Sequence, residues 1–182
     1  MSRLQAGVVG ASGVAGAELV ECLSGHPEFE LDVLTSRKHE GESFTNLYPR
    51  FDGTISREFE RPETGRLNDL DVVFLAVPHG ASMEIVPRLD PSCVKIVDLA
   101  SDYRFSDVET YERVYNEEHG DPEHITSAIY GLTEINYNQI RNANFVANPG
   151  CYATGILLGL YPLVRDDLVD SRVFVDAKSG IS

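Results

Sequence analysis

Cys151 is the residue in this chain best placed to do covalent chemistry. It follows Asn148-Pro149-Gly150 and opens an apolar stretch from Tyr152 to Val164 with helical spacing. Pro149 and Gly150 break whatever precedes them, which puts the thiol at or just before a helix N-terminus. Unpaired backbone N–H groups and the positive end of the helix dipole collect there. A thiol so placed tends to ionise near neutral pH, and the thiolate is a nucleophile. The competing reading makes Cys151 a small buried hydrophobe, the usual fate of a free cysteine. Of the other two cysteines, Cys22 falls on the apolar face of the first helix and Cys93 precedes a strand. The three are far apart and odd in number, with no metal-ligand spacing. That points to a reducing cytoplasm, without a disulfide framework or a metal site.

A second chemical signature stands at the start of the chain. Leu4 to Val9 reads as a short buried strand, and Gly10-Ala11-Ser12-Gly13-Val14-Ala15-Gly16 follows it directly. Ala17 to Leu23 then has apolar residues at helical spacing. Strand, glycine turn and helix in that order make a dinucleotide site. The glycines let the backbone approach a pyrophosphate, and the helix start supplies N–H donors to it. The spacing Gly-x-x-Gly-x-x-Gly is a variant of the commoner pattern, and a turn that only packs helix on strand is the alternative. Phe29 to Leu34 is the next strand, ending in Thr35-Ser36-Arg37-Lys38. An acid at that end would bind a ribose 2′-OH, whereas an Arg accommodates a 2′-phosphate. Ser36, Arg37 and Lys38 therefore point to NADP(H), against the alternative of an exposed basic loop.

Further strand ends carry further candidates. Asp71 to Val77 is a near-continuously apolar, buried parallel strand leading into Pro78-His79-Gly80. Ligands of open α/β sheets bind beyond the carboxyl ends of the strands, which sets Pro78 and His79 beside the cofactor. His79 reads either as a general base or as a group that orients backbone or cofactor. Val94 to Leu99 is followed by Ser101 and Arg104, where an anionic substrate group could be held. Arg104 could equally pair with Asp98 or Asp102 in a structural network. Phe44, Leu47, Tyr48 and Phe51 are expected to cover the sheet. Tyr111 to His124 reads as a helix and loop, and Ile129 to Ile140 as a turn and a short helix. Asn144 to Ala147 is a short strand that delivers the chain to Cys151.

These elements must be carried by an α/β fold of Rossmann type, a doubly wound and mainly parallel sheet over residues 1–147. Residues 148–182 are expected to begin an α+β catalytic and dimerisation domain. Arg172 to Lys178 reads as a strand without partners, so that second domain is expected to be cut short. At 182 residues, with 42% hydrophobic and 24% charged side chains, the chain can build one full core. No N-terminal basic-then-apolar pattern and no apolar run long enough to span a bilayer appear in it, so no membrane role is expected. Fifteen basic against twenty-nine acidic residues give a net charge of −14, which argues against nucleic acid as a partner. The acids are scattered. They read either as adaptation to high salt or as simple acidic solubility.

Gly10-Ala-Ser-Gly13, Thr35-Ser-Arg37, Pro78-His-Gly80, Asp98-Leu-Ala-Ser-Asp-Tyr-Arg104, Tyr130-Gly-Leu132, Asn148-Pro-Gly-Cys-Tyr152 and Lys178-Ser-Gly180 resemble the N-acetyl-γ-glutamyl-phosphate reductase family, in register over essentially the whole chain. The broader group also contains aspartate-semialdehyde dehydrogenase. Bacterial members commonly place proline after Cys-Tyr, whereas Ala153 stands here. In that respect the chain is more similar to the branch that acts on glutamyl or 2-aminoadipyl phosphates whose amine is attached to a small carrier protein.

The resemblance implies a cytoplasmic enzyme of arginine or lysine biosynthesis, with chains considerably longer than this one and a homo-oligomer formed through the second domain. It implies that Cys151 attacks an acyl phosphate, either a small molecule or carrier-linked. Phosphate leaves a thioester, and NADPH reduces that to the semialdehyde. Ser101, Arg104 and Asn148 would contact the substrate. The acid–base histidine of the family would lie beyond residue 182. Two other classes stay open: a non-catalytic NADP(H)-binding fragment, and a different thioester-forming dehydrogenase such as aspartate-semialdehyde dehydrogenase.

Overall fold

The structure is a computed structural model that describes residues 3–169 and 172–179. The apolar runs become strands of a single sheet: β1 (Leu4–Val9), β2 (Phe29–Thr35), β3 (Phe59–Glu60), β4 (Val72–Leu75), β5 (Lys95–Asp98), β6 (Ile129–Tyr130) and β7 (Phe145–Ala147). They lie in the order β3-β2-β1-β4-β5-β7-β6, and every pairing between them is parallel. Parallel neighbours need crossovers that pass over a face of the sheet. The helices α1 (Val14–Ser24), α2 (Phe44–Leu47), α3 (Thr64–Asn68), α4 (Ser82–Ile85), α5 (Val108–Tyr115) and α6 (Thr133–Ile140) lie within them, and α7 (Cys151–Arg165) follows β7. The chain winds outward from β1 to β3, then returns to β4 on the other side of β1. That reversal opens a crevice at the carboxyl ends of β1 and β4.

Period-two alternation divides the core between the two faces. Val9, Val33, Val73, Leu75, Ile96 and Phe145 face one way, packed with Ile85, Val86, Tyr103 and Tyr111. Ala6, Val8, Leu34 and Val72 face the other, against Ala17, Val20 and Leu23 of α1 and a cluster of Phe44, Phe51 and Phe59. The expected covering role of Phe44, Leu47, Tyr48 and Phe51 is met: Phe44 and Phe51 are buried, and Leu47 and Tyr48 pack half-buried against them. α5 is bounded by its own residues. Asp107 accepts a 2.8 Å hydrogen bond from the Thr110 N–H at the start, and Asn116 ends the helix in a left-handed conformation.

Three expectations need correction. Ile129 and Tyr130 form a strand outside β7, so the segment read as a turn is a sheet edge. Residues 172–179 form no strand: a strand exists only by pairing, and none of the seven described strands pairs with them. Gly180, which closes the resemblance at Lys178-Ser-Gly180, lies outside the described residues. Cys22 is exposed rather than on the apolar face. It lies two residues from buried Val20, and helix positions two apart point to opposite sides. Among the described residues no helix is long and apolar enough to cross a membrane.

Candidate cofactor cleft and active site

Because the sheet is all-parallel, every strand delivers its carboxyl end to the same edge, and the candidate residues collect there. Gly10 leaves β1 with φ +83°, and a Cβ on it would stand 2.3 Å from the Ala76 carbonyl oxygen beyond β4. Gly16, in the first turn of α1, has no room either: its Cβ would meet the Gly10 oxygen at 2.4 Å and Ala11 Cα at 2.8 Å. Gly13 differs. It is exposed, and the nearest atom to a Cβ there is 3.4 Å away. The outer two glycines are demanded by the fold, whereas the middle one leaves the start of α1 open to a ligand. Ala11 is buried and Val14 exposed at this turn.

The turn is tied to the end of β2. The Ala11 N–H donates to the Thr35 carbonyl at 3.0 Å, and the Ser12 and Ser36 hydroxyls are 2.8 Å apart. The Tyr48 hydroxyl donates to the Ser12 carbonyl at 2.8 Å, and the His39 N–H donates to Ser36 Oγ at 3.2 Å. Between these elements lies a cleft of about 250 Å³, lined by Gly10, Ser12, Ser36, Arg37, Lys38 and Pro78, with Ala81 and Ile85 also in its wall. Thr35 Oγ1 in this wall is buried without a hydrogen-bond partner. Arg37 is exposed, its Nη2 3.4 Å from Glu84 Oε2.

His79 does not line that cleft. Its Nδ1 meets Asp102 Oδ1 at 2.9 Å and the Ser101 hydroxyl. Its Nε2 meets the Glu117 carboxylate and, at 3.3 Å, the Tyr111 hydroxyl. A carboxylate at each ring nitrogen holds the imidazole in place. Burial, and then the hydrogen bond to Glu117, raise the Tyr111 phenol above its ordinary range. The Tyr111 hydroxyl and then His79 hold the Glu117 carboxyl below the usual carboxylate range.

Beneath this cluster Ser82, Asp98 and Asp102 are fully buried. Ser82 Oγ lies 2.5 Å from Asp102 Oδ2 and 3.2 Å from Asp98 Oδ2. One hydroxyl proton cannot serve both carboxylates. Burial, opposed by the Ala100 N–H and reinforced by Asp102, pushes the Asp98 carboxyl from 3.8 up to about 7. Below that value the Asp98 carboxyl brings the missing proton. Asp102 in turn accepts the Gly80 N–H at 2.9 Å, which fixes the turn carrying His79. Because the folded value lies above the unfolded one, this contribution to stability is complete below about pH 4 and is lost as pH rises through about 7. The loss is on the order of 4 kcal/mol. Asp98→Asn keeps a donor there without a charge, and urea melts between pH 4 and 8 should show that fall flattened in the variant. Parallel curves for the two proteins would rule out this proton count.

Arg104 pairs with neither Asp98 nor Asp102; no ion pair joins them among the described residues. Its Nε donates to the Asn148 carbonyl at 2.9 Å and its Nη2 to the Leu99 carbonyl at 2.8 Å, bridging the ends of β5 and β7. A Cβ on Gly150 would stand 3.0 Å from Arg104 Nη1, so the guanidinium lies against the turn that leads into α7. Asn148 is exposed, its Nδ2 donating to the Pro149 carbonyl at 3.3 Å. Cys151 is the first residue of α7 and is exposed, which overturns the buried-hydrophobe reading. Thr154 closes the first turn on the Gly150 carbonyl through its N–H at 2.9 Å and its hydroxyl at 3.0 Å. A groove of about 590 Å³ runs from Cys151 and Tyr152 along α7, between that helix and residues 173–178.

Sequence reasoning assigned no site role to Tyr48, Glu84, Ser82 or Glu117. None of them sits in a motif, and each acts through a partner distant in the chain.

An all-parallel doubly wound sheet, a glycine turn after its first strand and a cleft at the switch of strand order define a dinucleotide-binding domain of Rossmann type. The family model described as semialdehyde dehydrogenase, NAD binding domain, matches residues 5–143, and that described as semialdehyde dehydrogenase, dimerisation domain, matches residues 151–182. The chain belongs to the semialdehyde dehydrogenase family. It is 45% identical over 179 residues to an N-acetyl-gamma-glutamyl-phosphate reductase of Archaeoglobus fulgidus, covering 98% of this chain and 52% of that one. Proteins of the same name from Herminiimonas arsenicoxydans and Methanosphaera stadtmanae are each 42% identical, covering 98% and 100% of this chain and 52% of theirs. The chain thus spans about half the length of the curated relatives it matches, whose name agrees with the resemblance read from the sequence.

Among solved structures, aspartate semialdehyde dehydrogenase II from Vibrio cholerae superposes with a TM-score of 0.63 at 20% identity, over 90% of this chain and 47% of that one. Aspartate semialdehyde dehydrogenase with NADP from Candida albicans gives 0.58 at 21%, over 92% and 48%. Both bear out the Rossmann-type fold.

Proposed function

We propose that this chain carries the cofactor cleft and the nucleophile of an NADPH-dependent reductase that turns an amine-blocked γ-glutamyl or aminoadipyl phosphate into its semialdehyde. Residues 1–147 bind the cofactor, and residues 148–182 begin the catalytic and oligomer-forming part. The observation that carries the reading is the shared edge of the sheet. The cofactor cleft and exposed Cys151, with Arg104 against its turn, lie at carboxyl ends of strands in one parallel sheet.

The residues fit the cofactor. Gly13 leaves space at the start of α1 for a pyrophosphate. Ser36, Arg37 and Lys38 supply a hydroxyl and two cations for a 2′-phosphate. The bound nicotinamide supplies hydride. Pro78 lines the cleft wall, and His79, held by its two carboxylates, orients the adjoining turn. Cys151 Sγ bonds to the acyl carbonyl carbon as the bond to phosphate breaks, and inorganic phosphate leaves with that electron pair. The carbonyl of the resulting thioester accepts the hydride, and the sulfur departs to leave the aldehyde. Arg104, Ser101 and Asn148 hold the anionic end of the substrate. The name shared by the relatives supports the N-acetyl substrate of arginine biosynthesis, and Ala153 supports a carrier-protein-linked substrate, which extends to lysine biosynthesis. The three free cysteines support a cytoplasmic location.

The test is absorbance at 340 nm on the full-length protein, with NADP⁺, phosphate and each semialdehyde in turn. N-acetylglutamate semialdehyde or its carrier-linked counterpart should reduce NADP⁺. Activity with aspartate semialdehyde alone would overturn the assignment. A second measurement addresses the cofactor. Arg37→Ala should weaken NADPH binding by about 1.5–3 kcal/mol, the worth of a charge-assisted contact, and leave NADH nearly unchanged. Equal losses for both in a fluorescence titration would refute the 2′-phosphate role.

A further inference from the structure

The cleft of the proposed function carries an acid on its rim. Glu84 stands on α4, whose Ile85 lines the cleft together with Arg37 and Lys38. Its Oε2 lies 3.4 Å from Arg37 Nη2, and the two side chains are 64% and 72% exposed. Among the described residues, Glu84 is the carboxylate within ion-pair distance of Arg37. The cation read as the 2′-phosphate ligand is therefore already engaged by an anion.

The two anions compete for one guanidinium. A phosphate monoester carries close to two negative charges and accepts a bidentate pair of hydrogen bonds, so it displaces a single carboxylate contact at 3.4 Å. The displaced carboxylate stays on the rim, where it repels the phosphate. A ribose 2′-hydroxyl is uncharged and meets no such repulsion. We propose that Glu84 is a specificity-determining residue, a carboxylate that occupies Arg37 until a 2′-phosphate replaces it and so holds down the preference for NADPH over NADH. This rests on the reading of Arg37 as the 2′-phosphate ligand. An exposed pair is weak, so the effect is a tuning of the ratio and leaves the preference itself in place.

The experiment is calorimetric titration of Glu84→Gln with adenosine 2′,5′-bisphosphate and with AMP, which differ only in the 2′-phosphate. The bisphosphate should bind about two- to fivefold more tightly than to the unaltered protein, while AMP affinity stays unchanged. The gain should shrink as salt is raised, because an exposed charge is screened. In an Arg37→Ala background the same substitution should give a smaller gain, since no guanidinium remains to be released and only the repulsion is relieved. An unchanged or weaker bisphosphate affinity in Glu84→Gln, or an equal gain without Arg37, overturns the proposal. If Arg37→Ala alone discriminates between the two ligands and Glu84→Gln does not tighten the bisphosphate, only the role of Glu84 fails. If Arg37→Ala weakens both ligands alike, the 2′-phosphate reading fails as well.

Discussion

In the full-length protein, Cys151→Ser is expected to lower turnover by about 10³-fold or more while leaving NADPH affinity within about twofold. The sulfur is exposed at the first residue of α7, so the fold should tolerate the exchange. A serine hydroxyl is a far weaker nucleophile near neutral pH, and the covalent step has no other acceptor in the proposed mechanism. Cys22→Ser and Cys93→Ser are the controls. Both cysteines are also exposed, so exposure alone does not single out Cys151. Cys93 Sγ donates to the Asp90 carboxylate at 3.5 Å. Turnover measured on all three variants decides the matter: a Cys151→Ser protein that still reduces its substrate at an undiminished rate removes the nucleophile from the mechanism.

The three glycines of the first turn should separate by role. Gly10→Ala combines a φ of +83° with a contact of 2.3 Å to a carbonyl oxygen, and should cost about 2–4 kcal/mol of folding stability. Gly16→Ala meets backbone at 2.4 Å and should cost about 1–3 kcal/mol. Gly13→Ala has room for its methyl group and should cost at most about 1 kcal/mol. Its damage should fall on the cofactor instead, because the methyl stands where the pyrophosphate approaches. Denaturant melts paired with NADPH titrations read both quantities. Equal destabilisation by all three substitutions would show that the turn is packing throughout, and would weaken the dinucleotide reading.

Much of the fold was legible because it is written in short-range physics. The run from Leu4 to Gly16 to Leu23 changes from strand to turn to helix within one stretch, and each change is marked by glycine or by a shift in apolar spacing. The break at Pro149-Gly150 placed the start of α7 correctly for the same reason. The two-residue strands β3 and β6 were not legible, since two residues show no periodicity and exist as strands only through their neighbours β2 and β7. Cys22 was misplaced because the width of the buried stripe on α1 is set by what packs against it, not by the helix itself.

By itself the sequence determined the parallel α/β architecture, the glycine turn, the basic end of β2 and the helix start at Cys151. Each of these is a local choice made by residues within a few positions of one another. The partners of those residues were decided only by the tertiary structure. Arg37 meets Glu84 47 positions away, His79 meets Glu117 38 positions away, and Arg104 turns from Asp98 and Asp102 to the Asn148 carbonyl 44 positions away. The proton on Asp98 belongs to the same class, because it arises from burial beside Ser82 and Asp102. Charge and hydrogen bonding depend on distance through space, and distance through space is set by the stacking of strands.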